Sequence, residues 1–302
     1  MHKILRKSTA LIGFVLMLVC VNVKAQDPAA ICAPQNQSIQ VGPSAIQYFK
    51  MGEGSPILVL HGLFAQKEQW TDFACQLAKN GFAVYAPDLP GYGQSTGFPI
   101  ESYQLIKEVE LIHRFTQKLN LNAFNIAGNS MGGAIAAMFA HQYPNEVKSI
   151  AFIGAPMGVI SWSPQLKDAI YAGINPFIPI TVQQFDLEMR LLFAKPPELD
   201  QAIKDAAVTE YTKNNRHYQQ VWNIVNLDIN VLESAPNSKK PTFITWGKED
   251  GVFNISGRKR VDKKFPNHAS YELKDVAHLV MLEKPKEIAD LYLQFLRSRQ
   301  LQ

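Results

Sequence analysis

The sequence lacks the features that would place it outside ordinary globular proteins. No repeat or low-complexity segment is present, and glycine and proline, at 18 residues each, are ordinary in number. Beyond the N-terminal apolar run there are two cysteines, Cys32 and Cys75, and neither has a histidine at metal-ligand spacing. We therefore expect no metal site and no cofactor. A chain of 302 residues that is 47% hydrophobic indicates one large domain with room for an insertion.

A basic excess is also missing from most of the chain. The formal net charge of +4 comes from Lys3, Arg6, Lys7 and Lys24, and the residues after position 25 carry equal numbers of basic and acidic side chains. A neutral body gives no electrostatic argument for a nucleic-acid partner. It does not restrict small-molecule substrates, and it leaves the oligomeric state open.

The N-terminus follows the order of a secretory signal. Basic residues precede an apolar run from Ala10 to Val21, which is short for a membrane span, and Val23-Lys24-Ala25 supplies small residues at a cleavage position. Residues 1–25 are therefore predicted to be a signal peptide of an exported protein, periplasmic or secreted. The alternative is a retained N-terminal membrane anchor. Residues 26–37 are predicted to be an unstructured leader, and whether Cys32 and Cys75 pair is left open.

Strand and helix patterns alternate along the rest of the chain. The continuous apolar run Ile57-Leu58-Val59-Leu60 is typical of a strand buried on both faces of a parallel sheet. The alternation predicts an α/β fold with a mostly parallel central sheet flanked by helices, built from residues 38–157 and 239–300. Residues 158–238 interrupt it with apolar, helical patterns, which we interpret as a helical cap.

The segment Gly128-Asn129-Ser130-Met131-Gly132 lies between a predicted strand and a predicted helix. This is the context of G-x-S-x-G, in which a tight turn exposes a serine hydroxyl above the sheet. Ser130 is therefore the candidate nucleophile.

A serine nucleophile needs a base, and in this arrangement the chain order is serine, acid, histidine. His278 lies in a loop after a predicted strand and before the last helix, and is the candidate base. Asp250 follows the preceding strand and is the candidate acid, with its neighbour Glu249 as the alternative.

Acyl transfer also requires backbone N–H groups that face the developing oxyanion. We expect one from Met131, directly after the nucleophile. The second comes from the loop His61-Gly62-Leu63-Phe64, where Leu63 is preferred over Phe64. His61 is interpreted as a residue that shapes this loop through hydrogen bonds.

Five segments together resemble the α/β-hydrolase superfamily in order and spacing: HGLFAQKEQW, PDLPGYGQS, GNSMGG, WGKEDGVFNISG and DVAHLVMLEKP. They are most similar to the branch of bacterial lipases and esterases and of monoacylglycerol lipases with an N-terminal membrane segment. The resemblance implies the α/β-hydrolase fold, with Ser130, Asp250 and His278 as a catalytic triad. It also implies Leu63 and Met131 as oxyanion donors and a cap near residues 158–238.

The predicted function is hydrolysis of carboxylic esters through an acyl-enzyme, with a small-molecule or lipid-like ester as substrate and room for contact with a membrane surface. Apolar residues of the insertion that could line an acyl channel are Phe177, Phe185, Leu191, Leu192 and Phe193. The alternatives are a carbon–carbon bond hydrolase, a cofactor-free peroxidase, or an aminopeptidase that holds an amine with Glu188 or Asp186. Outside enzymes, the alternative is a binding module that does not use the triad.

Overall fold

The computed structural model describes residues 28–159 and 161–302. The predicted signal peptide, residues 1–25, lies outside the described residues. Within this part of the chain, none of the helices combines the length and the apolar character that a membrane crossing requires.

Eight strands form one twisted sheet in the order β1-β2-β4-β3-β5-β6-β7-β8. The first two strands run antiparallel to their neighbours, and the six from β3 onward are mutually parallel. The predicted mostly parallel sheet is therefore confirmed. The strands are β1 (Gln35–Val41), β2 (Ser44–Met51), β3 (Ser55–Leu60), β4 (Phe82–Pro87), β5 (Phe124–Ser130), β6 (Val147–Pro156), β7 (Thr242–Gly247) and β8 (His268–Leu273).

Helices cover both faces of the sheet, which leaves β3 buried on both sides as its apolar run predicts. Leu58 and Leu60 pack into the core under α3 and α4, whereas Ile57 and Val59 pack into the core under α2 and α12. The helices are α1 (Pro28–Ile31), α2 (Thr71–Ala78), α3 (Leu105–Lys118), α4 (Met131–Gln142), α5 (Pro164–Tyr171), α6 (Val182–Leu192), α7 (Gln201–Lys213), α8 (Asn215–Asn226), α9 (Val231–Ser234), α10 (Arg258–Lys264), α11 (Val280–Glu283) and α12 (Pro285–Ser298).

Residues 158–238, here called the helical insertion, contain α5 to α9 and connect β6 to β7. The parallel strands β3, β5, β6, β7 and β8 all end at the same edge of the sheet. The loops that follow these strands therefore meet at that edge, which is where ligands bind in open α/β sheets.

The predicted leader over residues 26–37 is wrong for the part that the structure describes. Pro28–Ile31 forms α1, and β1 already begins at Gln35 and pairs with β2. Most of β1 is polar and exposed because it is the edge strand, so its sequence carries no apolar alternation. Cys32 and Cys75 form a disulfide that ties this N-terminal segment to α2.

Candidate active site

Ser130 is the last residue of β5 and is followed directly by α4. Its backbone has φ 52° and ψ −119°, which is costly for a residue with a side chain, on the order of 1–3 kcal/mol. The turn needs glycine at 128 and 132, because a Cβ there would collide with the backbone of Gly132 and of Leu60 respectively. The chain thus presents Ser130 on a sharp, strained strand-to-helix turn, as the G-x-S-x-G pattern predicts.

Asp250 and His278 come from the loops after β7 and β8 and meet at this edge. The Nδ1 atom of His278 lies 3.0 Å from Oδ2 of Asp250, and both side chains are buried. The other carboxylate oxygen, Oδ1, accepts hydrogen bonds from the N–H groups of Val252 and Phe253 at 2.8 and 2.9 Å. Both oxygens of this carboxylate therefore have partners, and the hydrogen bonds to Oδ1 hold Oδ2 toward the imidazole.

Glu249, the alternative acid, has a different partner. Its Oε2 accepts a hydrogen bond from the N–H of Val276 at 3.1 Å. The structure therefore brings Asp250 and not Glu249 to the imidazole of His278.

Ser130 and His278 line one cavity of about 150 Å³ at the carboxyl edge of the sheet. Among the described residues no hydrogen bond joins the Ser130 hydroxyl to the imidazole, and such contacts are often long before a substrate binds. The cavity wall is mostly apolar. On the sheet side its residues are Gly62, Leu63, Phe64, Ala65, Gln69, Asn129, Ser130, Met157, Val252, Phe253, His278 and Leu279; from the helical insertion they are Trp162, Leu166, Phe177, Glu188, Leu192, Tyr211, Trp222, Asn226 and Ile229.

Only part of the predicted acyl-channel lining is found in this wall. Phe177 and Leu192 line the cavity. Phe185 and Leu191 are buried in the packing of α6 without lining it, and Phe193 also lies outside the wall. The reason is helical geometry, since Glu188 and Leu192 lie four apart on the same side of α6 and both reach the cavity, whereas Phe185 and Leu191 do not.

The two predicted oxyanion donors come from different elements, Leu63 from the loop after β3 and Met131 from the start of α4. Leu63 and its alternative Phe64 both line the cavity, and Phe64 adopts a positive φ of 56°. Met131 is the first residue of α4, where backbone N–H groups have no partner within the helix. The positive end of the α4 dipole therefore points toward the turn that carries Ser130.

The loop that carries Leu63 and Phe64 is held by two buried side chains. Nε2 of His61 accepts a hydrogen bond from the N–H of Leu89 at 2.9 Å, and Nδ1 lies 2.8 Å from the carbonyl oxygen of Gly62. Burial lowers the pKa of His61 to about 4, so the ring is neutral and Nδ1 carries the donated proton. Asp88 accepts hydrogen bonds from the backbone N–H and the ammonium of Lys67 at 2.7 and 2.9 Å.

Two residues that sequence reasoning missed hold the His278 loop. The side-chain amide of Asn129 donates to the carbonyl oxygens of Ile153 and His278 at 2.9 and 3.1 Å. Glu283 accepts from the N–H of Ala277 at 2.7 Å and from the N–H of Ala194 at 2.9 Å. In the sequence, the only signals for these roles are the position of Asn129 inside the G-x-S-x-G segment and the position of Glu283 five residues after His278.

The end of α6 is also hydrogen-bonded to the two loops that carry Asp250 and His278. The carbonyl oxygen of Leu192 accepts from the N–H of His278 at 3.1 Å, and that of Leu191 accepts from the N–H of Gly251 at 3.1 Å. The helical insertion is therefore anchored to the loops of Asp250 and His278 through backbone atoms.

Glu188 is the one carboxyl group among the described residues of the cavity wall. Burial raises its pKa to about 8. Asp186 instead pairs with Lys204 at 2.8 Å and does not line the cavity. Across the described ranges, no group of three or more His, Cys, Asp or Glu side chains is arranged to hold a metal ion.

Comparisons with known proteins agree with this architecture. A family model described as the alpha/beta hydrolase fold matches residues 55–176. The chain is 29% identical over 264 residues to the monoacylglycerol lipase ABHD6 of Mus musculus, covering 82% of this chain and 77% of that protein. It is 28% identical over 246 residues to Lipase 1 of Psychrobacter immobilis, covering 80% of this chain and 77% of that protein.

A solved structure gives the same result at the level of coordinates. The crystal structure of a bacterial membrane phospholipase A superposes with a TM-score of 0.82 and 26% identity, covering 90% of this chain and 89% of that chain. The predicted α/β-hydrolase fold, and the predicted resemblance to lipases and monoacylglycerol lipases, are confirmed.

Proposed function

Since this chain has the α/β-hydrolase fold and resembles lipases and monoacylglycerol lipases, we propose that it hydrolyses carboxylic esters with Ser130 as nucleophile, His278 as base and Asp250 as the acid that orients the base. The observation that carries the proposal is one cavity lined by both a strained serine and a buried imidazole, with Nδ1 of that imidazole 3.0 Å from a fixed carboxylate. Such a pair activates a serine hydroxyl, which is a weak nucleophile on its own.

In the proposed reaction, His278 takes the hydroxyl proton as Ser130 Oγ attacks the ester carbonyl carbon. The N–H groups of Leu63 and Met131 hold the oxyanion, each worth about 2.7–4 kcal/mol in the barrier. The C–O bond to the alcohol then breaks, and the alcohol leaves with the proton from His278. Water, deprotonated by the same ring, attacks the acyl-enzyme and releases the acid and the free serine.

We further propose that the substrate is a lipid-like acyl ester and that the helical insertion acts as a cap over the site, on a core of residues 38–157 and 239–300. The named activities of the relatives, monoacylglycerol lipase and lipase, support the substrate class. The apolar wall that the insertion contributes, including Phe177 and Trp222, supports room for an acyl chain.

The proposed location is outside the cytoplasm, periplasmic or secreted, or held at a membrane by a retained N-terminal segment. The Cys32–Cys75 disulfide supports an oxidising compartment. The segment that would direct export, residues 1–25, lies outside the described residues.

The test compares wild type with Ser130→Ala on p-nitrophenyl esters and monoacylglycerols of increasing acyl length. We expect Ser130→Ala to lose at least about 10⁴-fold in kcat, because the nucleophile acts as a unit with its base. Wild type alone should be labelled by a fluorophosphonate probe, and it should cleave acyl chains of about eight carbons or more.

Ser256→Ala, a change at an exposed serine, is the matched control and should behave as wild type. Undiminished hydrolysis and labelling in a folded Ser130→Ala variant would identify a different nucleophile. Cleavage restricted to short acetyl esters would exclude the lipid-like substrate but not the serine mechanism.

A further inference from the structure

The helical insertion places a single carboxyl group on an otherwise apolar face. Phe185, Glu188 and Leu191 are the buried residues of α6 and lie three apart, so they share one side of the helix. Phe185 and Leu191 are apolar, as expected for a face that packs inward. Glu188 occupies the middle position and lines the cavity that also contains Ser130 and His278.

The Glu188 carboxyl is buried without satisfying its hydrogen bonds. The residue is 6% exposed, and its Oε2 has no hydrogen-bond partner among the described residues. Buried polar atoms are nearly always hydrogen-bonded, since leaving one unpaired is costly. Because Glu188 also lines the cavity, a carboxyl group with an unsatisfied oxygen at this place points to a partner that enters the cavity.

The side chains around Glu188 indicate the chemical class of that partner. No lysine or arginine of the described residues lines the cavity, and the other titratable side chains of its wall are Tyr211 on α7, which interacts electrostatically with Glu188, and His278. Burial raises the pKa of Glu188 to about 8, so the neutral acid predominates at pH 7. A neutral carboxylic acid donates one hydrogen bond and accepts others, which matches a hydroxyl group.

We propose that Glu188 anchors a hydroxyl group of the substrate, so that the site prefers esters of polyhydroxy alcohols, such as glycerol, over esters of plain alkyl alcohols. This inference rests on the proposed ester hydrolysis and names the alcohol half of its substrate. An unsubstituted acyl chain carries no hydrogen-bonding group, so a hydroxyl that reaches Glu188 belongs to the alcohol. The apolar remainder of the wall, with Phe177 and Trp222 stacked on each other, suits the acyl chain.

The experiment uses two esters with the same acyl chain, glycerol monooctanoate and propyl octanoate, and measures kcat/KM for each. Wild type should prefer the glycerol ester by about 10- to 100-fold, because a site built to bond a hydroxyl rejects the analogue that lacks it. Glu188→Leu should bring the ratio close to one, mainly by loss on the glycerol ester. Glu188→Gln should keep part of the preference, since an amide also donates and accepts hydrogen bonds.

Glu108→Gln is the matched control, because Glu108 is a buried, unpartnered glutamate that does not line this cavity. Its substrate ratio should equal that of wild type. Circular dichroism and thermal unfolding check that each variant folds.

The outcomes distinguish failure of the hydroxyl anchor from failure of the proposed ester hydrolysis. If wild type reacts with the fluorophosphonate probe and cleaves both esters, but Glu188→Leu leaves their ratio unchanged, the hydroxyl anchor is overturned and ester hydrolysis stands. If wild type neither reacts with the probe nor cleaves either ester, both proposals fall. A preference for dimethylaminoethyl octanoate over the glycerol ester, lost in Glu188→Gln, would overturn the hydroxyl in favour of an ammonium group.

Discussion

The carboxyl groups of the strand-end loops and the carboxyl group of the helical insertion are buried in opposite ways. Asp250 accepts two backbone hydrogen bonds and faces His278, and Asp88 accepts three hydrogen bonds, from Lys67 and Gln94. Glu188 is buried to a similar degree, yet its Oε2 has no partner among the described residues. The same chemical group is therefore held in two different ways, with its oxygens bonded in one region and one oxygen unpaired among the described residues in the other.

The bonded and the unpaired carboxyl groups suit different roles. A carboxylate whose two oxygens both have hydrogen-bond partners has one orientation, which suits a group that holds an imidazole or a loop in place. A carboxyl without protein partners is kept neutral by burial and remains free to bond a ligand. In the proposed function, the loops at the sheet edge therefore hold the catalytic groups, and the helical insertion supplies a contact to the substrate.

Glu108 on α3 shows that an unpartnered carboxyl alone does not make a site. Both of its oxygens are buried without a partner among the described residues, and burial raises its pKa well above the usual value. It lies in the core near Tyr92 and Tyr103, away from the wall of the cavity. What sets Glu188 apart is its place on the wall of the cavity that Ser130 and His278 also line.

The largest effect is expected where a fully bonded carboxylate is altered. Asp250→Asn keeps the size of the side chain but replaces one oxygen with an N–H donor, so the imidazole of His278 loses its acceptor or turns to the wrong tautomer. We expect kcat on a p-nitrophenyl ester to fall by about 10⁴-fold with little change in fold. Asp290→Asn, an exposed aspartate on α12, is the control.

An Asp250→Asn variant with kcat within tenfold of wild type would show that this carboxylate does not orient the base. Glu249→Gln, measured in parallel, would then show whether the neighbouring carboxyl does so. The structure predicts a small effect for Glu249→Gln, because that side chain bonds Val276 N–H.

Much of this site was predictable because it depends on local rules. The strained turn at Ser130 follows from glycines at fixed positions between a strand and a helix. The approach of Asp250 to His278 follows from chain order and from parallel strands that end at one edge. The choice between Asp250 and Glu249 depends on the geometry of their loop, because a shift of one residue would bring the other side chain to His278.

The unpredicted parts depend on tertiary contacts that leave no periodic signal. The edge strand β1 was missed because its side chains are mostly polar and exposed. The bonds from His278 and Gly251 to the end of α6 involve backbone atoms, so no side-chain pattern reveals them. The position of Glu188 on the cavity wall, and the absence of Phe185 from it, depend on how α6 is rotated against the sheet.

An intermediate effect, on the pH dependence of stability, is expected from Glu188→Gln. The folded-state pKa of Glu188 is raised from 4.5 to about 8, so the folded protein binds more protons than the unfolded chain between these values. Stability that this group contributes at low pH is therefore lost as pH rises from about 4.5 through about 8. Glutamine does not titrate, so the variant escapes this loss.

Between pH 5 and pH 9, we expect the free energy of unfolding of wild type to fall by about 2–4 kcal/mol more than that of Glu188→Gln. Urea unfolding at several pH values measures the difference, and Glu198→Gln, at an exposed position, should follow wild type. Parallel curves for wild type and Glu188→Gln would mean that Glu188 is ionised in the folded protein, and the contrast with Asp250 would disappear.

The smallest effect concerns Glu283, whose carboxylate bonds both a strand-end loop and the segment that follows α6 in the helical insertion. It is only half-buried, yet its two oxygens bond the N–H groups of Ala277 and Ala194, so it connects the His278 loop to the segment after α6. In Glu283→Gln one of these N–H groups would face an amide donor and lose its partner. We expect kcat to fall about tenfold with KM nearly unchanged, because the shift displaces His278 and leaves the cavity wall in place.

Glu287→Gln, an exposed change on α12, should leave both parameters at wild-type values. Glu283→Asp should recover little, because the shorter side chain cannot span both N–H groups. A rise in KM with unchanged kcat would instead place the role of Glu283 in shaping the cavity through α6. In that case a fully bonded carboxylate would act on substrate binding. The contrast between carboxyl groups that hold catalytic residues and carboxyl groups that contact the substrate would then fail.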